Sequence, residues 1–215
     1  MKKLLNLLDE FLESRLPGRV RLIVLLAMLL VVPSYFYPLW RMAFYSNQYP
    51  DGLRMALYLN HLEGQKSELR DDLREINSLN HYIGMRPLLE SDFAEFTWLP
   101  LVLGALILLS LRSIFMGKTS KLIDVFAMTG YFGLFSIWSF YYRLYTYGHN
   151  LDPQAPIKVD PFTPPLFGTK QIANFTVYSY PAIGSLFLIL FGFLLFIALV
   201  VQFYTWRITR AVTAN

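Results

Sequence analysis

The chain has no cysteine. That single absence removes disulfide frameworks, thiolate zinc sites, iron–sulfur clusters, redox CxxC pairs and CxxCH haem attachment together. Charge is scarce as well, at 16% of 215 residues, where a soluble domain carries about a quarter. There are three histidines, His61, His81 and His149, all outside the long apolar runs, so a haem held between spans by paired imidazoles is excluded. No ionisable residue lies near the middle of an apolar run, which leaves a proton pump or ion-coupled transporter without a polar pathway. P-loop, GxSxG and HExxH patterns are absent, and with them any support for an ATPase, serine hydrolase or zincin. The net charge of +4 does not point to nucleic acid. Most of the excess flanks apolar runs, where it sets topology.

Four apolar runs are long enough to cross a bilayer, which takes about 20 residues of helix. They cover residues 22–40, 98–115, 123–142 and 181–204. Tyrosines and tryptophans (Tyr35, Tyr37, Trp40, Trp98, Tyr141, Tyr142, Tyr180, Tyr204) gather at their ends, at headgroup level. Pro33 and Pro38 kink or end the first run, which lacks a small-residue cleavage site and reads as a retained anchor. Before it, Leu4, Leu5, Leu8, Phe11, Leu12 and Leu16 recur at helical spacing opposite Lys2, Lys3, Asp9 and Glu13. Residues 1–18 therefore form a cytoplasmic amphipathic segment, lying on the membrane or packed on protein. Lys2, Lys3, Arg15, Arg19, Arg21, the connector carrying Arg112, Lys118 and Lys121, and the tail carrying Arg207 and Arg210 place both termini in the cytoplasm. Connectors 41–97 and 143–180 are then extracytoplasmic. The expected fold is an all-α membrane protein, with residues 19–215 as a single membrane domain.

In the first outer connector Leu62, Leu69, Ile76 and Ile83 stand seven apart amid mixed charges, which predicts a helical insert. A short pattern occurs there twice, Leu59-Asn60-His61-Leu62-Glu63-Gly64 and Leu79-Asn80-His81-Tyr82-Ile83-Gly84. Glycine at both ends predicts two helix terminations with an imidazole in each last turn. A fold-back of the intervening segment would bring His61 near His81. Continued helix would put His81 and Met85 on one face, although Gly84 interrupts it. Imidazole and thioether without thiolate suit Cu(I), so His81, Met85 and His61 are the candidate metal ligands, with His149 behind them. A helix-end histidine also serves simply to cap carbonyls. Pro153, Pro156, Pro161, Pro164 and Pro165 make the second connector an extended strap over the first or a contact for a partner protein. Tyr131, Phe135, Trp138, Tyr142 and Tyr145 form an aromatic ridge on the third span, either a docking face or ordinary helix packing. Gly130 and Gly133 permit close helix approach in the same segment.

Two stretches carry a resemblance. Ser78-Leu79-Asn80-His81-Tyr82-Ile83-Gly84-Met85-Arg86-Pro87 resembles an NHYIGM-P signature. Pro161-Phe162-Thr163-Pro164-Pro165-Leu166, followed by Ile172-Ala173-Asn174-Phe175-Thr176, resembles its companion. Both are similar to stretches of small bacterial membrane proteins that accompany nitrous oxide reductase and copper-handling genes. The resemblance implies a non-enzymatic accessory protein of the bacterial inner membrane, near periplasmic copper delivery or electron supply to a copper reductase, with His81 and Met85 as ligands of Cu(I). The alternative is a structural subunit of a larger respiratory or other membrane complex. In either case the partners are the lipid bilayer and other membrane or periplasmic proteins.

Overall fold

A computed structural model describes residues 2–68 and 70–213, with the side chains of Lys3 and Thr213 left aside. Among them four helices are long and apolar enough to cross a membrane, at Gly18–Tyr35, Glu95–Met116, Thr119–His149 and Ile183–Val212. The chain is a membrane protein. It is not all-α: a five-stranded antiparallel sheet accompanies the helices. The elements run α1 (Lys2–Glu13), α2 (Gly18–Val31), β1 (Trp40–Tyr45), β2 (Leu53–Leu57), β3 (Leu62–Gly64), α3 (Asp72–Tyr82), α4 (Glu95–Met116), α5 (Thr119–His149), β4 (Gly168–Ile172), β5 (Phe175–Pro181) and α6 (Ile183–Thr213). They fall into two compact units.

The first unit comprises residues 1–33, 101–133 and 187–215. Its core is largely aliphatic: Val20, Val24, Ala27 and Val31 from α2, Leu103 and Leu106 from α4, Leu122 and Val125 from α5, and Leu195 and Ala198 from α6 are all buried, with Phe191 of α6 among them. A polar knot lies beside it. The Gln202 amide, 1% exposed, donates to the hydroxyls of Ser14 (3.0 Å) and Thr119 (2.8 Å). Each hydroxyl in turn donates to a backbone carbonyl, of Phe11 and Ser14 respectively. Backbone bonds from Leu16 to Gly117 and from Thr119 to Ser14 close the same knot. The segment after α1 is thereby tied to the α4–α5 connector. Phe11 meets Phe203 and Trp206 edge-on, while Leu4, Leu5 and Leu8 remain exposed.

The second unit comprises residues 34–100 and 134–186. Its sheet has the order β3-β2-β1-β5-β4, so strands from both long connectors pair in the middle, with Met42 opposite Ser179 and Phe44 opposite Val177. Alternation sets the faces: Met42, Leu53, Met55, Leu62 and Val177 point to a core that Ile76 of α3, Phe93, and Leu144 and Tyr147 of α5 complete. The predicted helical insert is therefore a mixture, with three short strands and irregular backbone before one helix. Only Asp72–Tyr82 is helical, begun by the Asp71 carboxylate, which accepts the N–H groups of Leu73 and Arg74. Of the leucines and isoleucines seven apart, Leu62 is in a strand, Ile76 in the helix and Ile83 at its end, while Leu69 lies outside the described residues. The first span also stops short of Trp40. Its α-helix ends at Val31, a 3₁₀ turn over Val32–Tyr35 follows, and Trp40 opens β1.

Candidate functional site

The repeated Asn-His pattern serves two unrelated purposes. In the second copy the N–H of Met85 reaches the carbonyl of Asn80 (2.8 Å) and that of Gly84 the carbonyl of His81 (3.2 Å), with Gly84 at φ +76°. This is a Schellman termination, in which a residue free to adopt positive φ closes the helix. In the first copy no helix precedes Gly64, which belongs to β3. Gly64 is small because Leu73 of α3 crosses there; a Cβ at that position would stand 2.7 Å from the Leu73 Cβ.

The candidate ligands consequently part company. His81 is exposed on the last turn of α3. Met85 leaves the helix axis and packs, half-buried, against the core. His61 stacks on Tyr58 at 4.4 Å and bonds the Asn60 side chain at 2.8 Å. His149 stacks on Tyr145 at 3.8 Å and bonds the Tyr145 carbonyl. Among the described residues no group of three His, Asp or Glu side chains could hold a metal ion. Met85 is thus half-buried beside the core while His81 is exposed.

Residues of the two signature stretches fasten the two long connectors. The N–H of Asp152 bonds the Gly84 carbonyl (2.8 Å), and that of Ile157 bonds Tyr82 (3.0 Å). A Cβ on Gly84 would sit 2.8 Å from the Asp152 carbonyl oxygen and 2.9 Å from the Ala155 Cβ. Further along, Phe162 bonds the Gly148 carbonyl (3.0 Å). The buried Ser179 hydroxyl donates to Leu166 (3.1 Å) and accepts from the Trp40 indole (2.8 Å). Asn77 clips Leu88 through both its N–H and its carbonyl. The proline-rich segment is thus a strap laced to the end of α3, to α5 and to the sheet.

Two features escaped the residue patterns. Glu95, in the first turn of α4, accepts from Arg143 (2.7 Å) and from the Ser139 hydroxyl (2.6 Å), with both charged side chains mostly buried. The guanidinium also donates to the Asp92 carbonyl and lies 4.8 Å over the Phe93 ring. Their spacing of 48 residues hides the pair from any local motif. The second feature is a groove of about 880 Å³ at the turn end of the sheet, lined by Tyr45, Asn47, Gln48, Gln171, Asn174 and Thr176 among others, with no acidic or basic side chain. It arises because β1 neighbours β5, which sets the β1–β2 and β4–β5 turns side by side. Its near wall is strained: Ala173 adopts φ +48°.

Near the sheet, Tyr49 donates to Glu75 at 2.9 Å. Burial, and then the Glu75 carboxylate, raise its pKa above the usual phenol value. Burial and Glu63 do the same for Tyr58. No family model matches the chain, and neither a curated protein nor a solved structure does so.

Proposed function

We propose that the chain is a non-enzymatic accessory subunit of a membrane complex, whose sheet module is a docking platform for a partner protein. The observation that carries the reading is the use made of the two signature stretches. Tyr82 and Gly84 of the first stretch hold the second connector at Ile157 and Asp152, and Phe162 and Leu166 of the second are held by Gly148 and Ser179; such fastening is what a pre-organised contact surface needs. The uncharged groove of amides, hydroxyls and rings at the turn end has the composition of a protein-contact surface, where tyrosine supplies area and amides adaptable hydrogen bonds.

The resemblance to proteins that accompany nitrous oxide reductase supports setting that complex beside a periplasmic copper enzyme in the bacterial inner membrane. The chain offers His81 toward a shared Cu(I), with further donors coming from the partner. One experiment addresses both points. The tagged chain is purified from its native membranes in mild detergent, and its companions and copper are quantified. A stoichiometric companion, lost when Gly84→Val disturbs the lacing, is the expected result. A chain that comes out alone sinks the accessory reading. About one copper per complex that falls on His81→Ala favours the copper setting, and copper-free material discards it.

A further inference from the structure

We infer that two copies of the chain pair through α5, side by side and in the same orientation across the membrane. The inference goes beyond the accessory role and stands without it. Along one face of α5, Tyr131, Leu134, Trp138, Tyr142 and Tyr145 are 76%, 73%, 58%, 58% and 43% exposed. The ridge is therefore not internal packing. The uncovered face of α6 differs in kind: Leu186, Ile189, Phe193, Phe196 and Val200 present only hydrocarbon, as a lipid-facing surface should.

Tyr131 separates the two cases. It lies seven residues after Asp124 and twelve before Arg143, the charged residues nearest to it on α5. At 1.5 Å per residue that is about 10 Å and 18 Å along the axis, well inside a hydrocarbon layer of about 30 Å. Helical side chains lean toward the N-terminus, so the phenol cannot climb to the outer boundary. Among the described residues no group hydrogen-bonds it. A hydroxyl left unpaired in hydrocarbon is costly, and lipid tails cannot pair it.

A second copy can. Both copies insert in the same direction, so their Tyr131 hydroxyls meet at one depth, and a hydroxyl, being donor and acceptor at once, can bond its own twin. The five named side chains carry no formal charge, so identical faces oppose without repulsion. Beside Tyr131, Gly130 leaves open space, with no atom within 4 Å of where a Cβ would sit, and a ring from the other copy can lie against bare backbone there. The rings are already ordered, Phe135 on Trp138 and Trp138 on Tyr142 both at 5.7 Å, which lowers the entropic cost of pairing. The five side chains expose roughly 600 Å², so a pair buries at most about 1,200 Å², which just meets the lower bound for a specific interface.

Because the chain has no cysteine, the test is clean. Leu134→Cys, Tyr145→Cys and, on the exposed hydrocarbon face of α6, Ile189→Cys are each treated in native membranes with a short bis-methanethiosulfonate. Leu134→Cys and Tyr145→Cys are expected to give a species of twice 25.0 kDa, and Ile189→Cys none. In vesicles carrying donor- and acceptor-labelled full chains, Tyr131→Phe is expected to weaken pairing about threefold, while Phe193→Leu on α6 leaves it unchanged. Equal cross-linking at Ile189→Cys, no species of doubled mass, or adducts only to a protein of other mass overturns the pairing. A stoichiometric companion retained alongside any of those results would leave the accessory role standing.

Discussion

Gly84 shows how much one residue can hold here. Its φ of +76° ends α3 and its missing Cβ admits the strap. Gly84→Val therefore costs on two counts, the left-handed backbone at about 1–2 kcal/mol and the displaced Asp152–Ala155 segment. We expect a loss of about 2–3 kcal/mol, visible as a lower unfolding midpoint and as new proteolytic cleavage between residues 150 and 165. Ala173 is the opposite case, a residue with a Cβ at φ +48° in a two-residue hairpin turn where glycine is at home. Ala173→Gly relieves that strain and returns part of it as chain entropy, for a net gain of about 0.5–1 kcal/mol in thermal unfolding. Tyr49 gives a pH dependence. Its pKa is raised in the folded chain, by burial first and Glu75 next, so its stabilising effect is complete below the ordinary phenol value near 10.0. That effect is lost as pH rises through the raised value. Tyr49→Phe should flatten the fall of the unfolding midpoint in that alkaline range, and an unchanged slope would assign the fall to other groups.

Among the elements, the apolar spans were legible because length and hydropathy alone define them. The sheet is less legible, although its cues are local. Phe175-Thr176-Val177-Tyr178-Ser179-Tyr180 alternates, with Val177 and Ser179 buried and Tyr178 and Tyr180 outside, and Pro50-Asp51-Gly52 is a turn between two such runs. A sevenfold spacing of leucines and isoleucines outweighed them. Its members belong to different elements, and spacing cannot report that. The repeated Asn-His pattern misled for the same reason, since glycine ends a helix at Gly84 and admits a crossing chain at Gly64. The pairing of Glu95 with Arg143 was out of reach, because contact across 48 residues is set by the antiparallel course of α4 and α5. Its energetics are testable. Glu95→Gln leaves Arg143 short of a counter-charge in a mostly buried place, a loss of about 2–4 kcal/mol. The double change Glu95→Leu with Arg143→Leu is expected to recover most of it in a double-mutant cycle.

At the scale of the molecule, the sheet constrains the path of the chain. β1 and β2 come from the first outer connector and β5 from the second, and they are hydrogen-bonded neighbours. Those connectors must lie on one side of the membrane, and α4 and α5, which run between them, must cross it as a pair or not at all. The lysines and arginines near the other helix ends predict that this side is the exterior. The absence of cysteine again makes the check direct. Single variants Asn47→Cys and Asn174→Cys, in the turns at one end of the sheet, should react with a membrane-impermeant maleimide on intact cells. Asn6→Cys, in α1, and Arg112→Cys, near the α4–α5 connector, should react only after permeabilisation. Inverted labelling would keep the four spans and reverse the chain. Asn47→Cys and Asn174→Cys reacting from opposite sides would contradict the sheet itself, because no membrane-spanning arrangement can pair β1 with β5 across a bilayer.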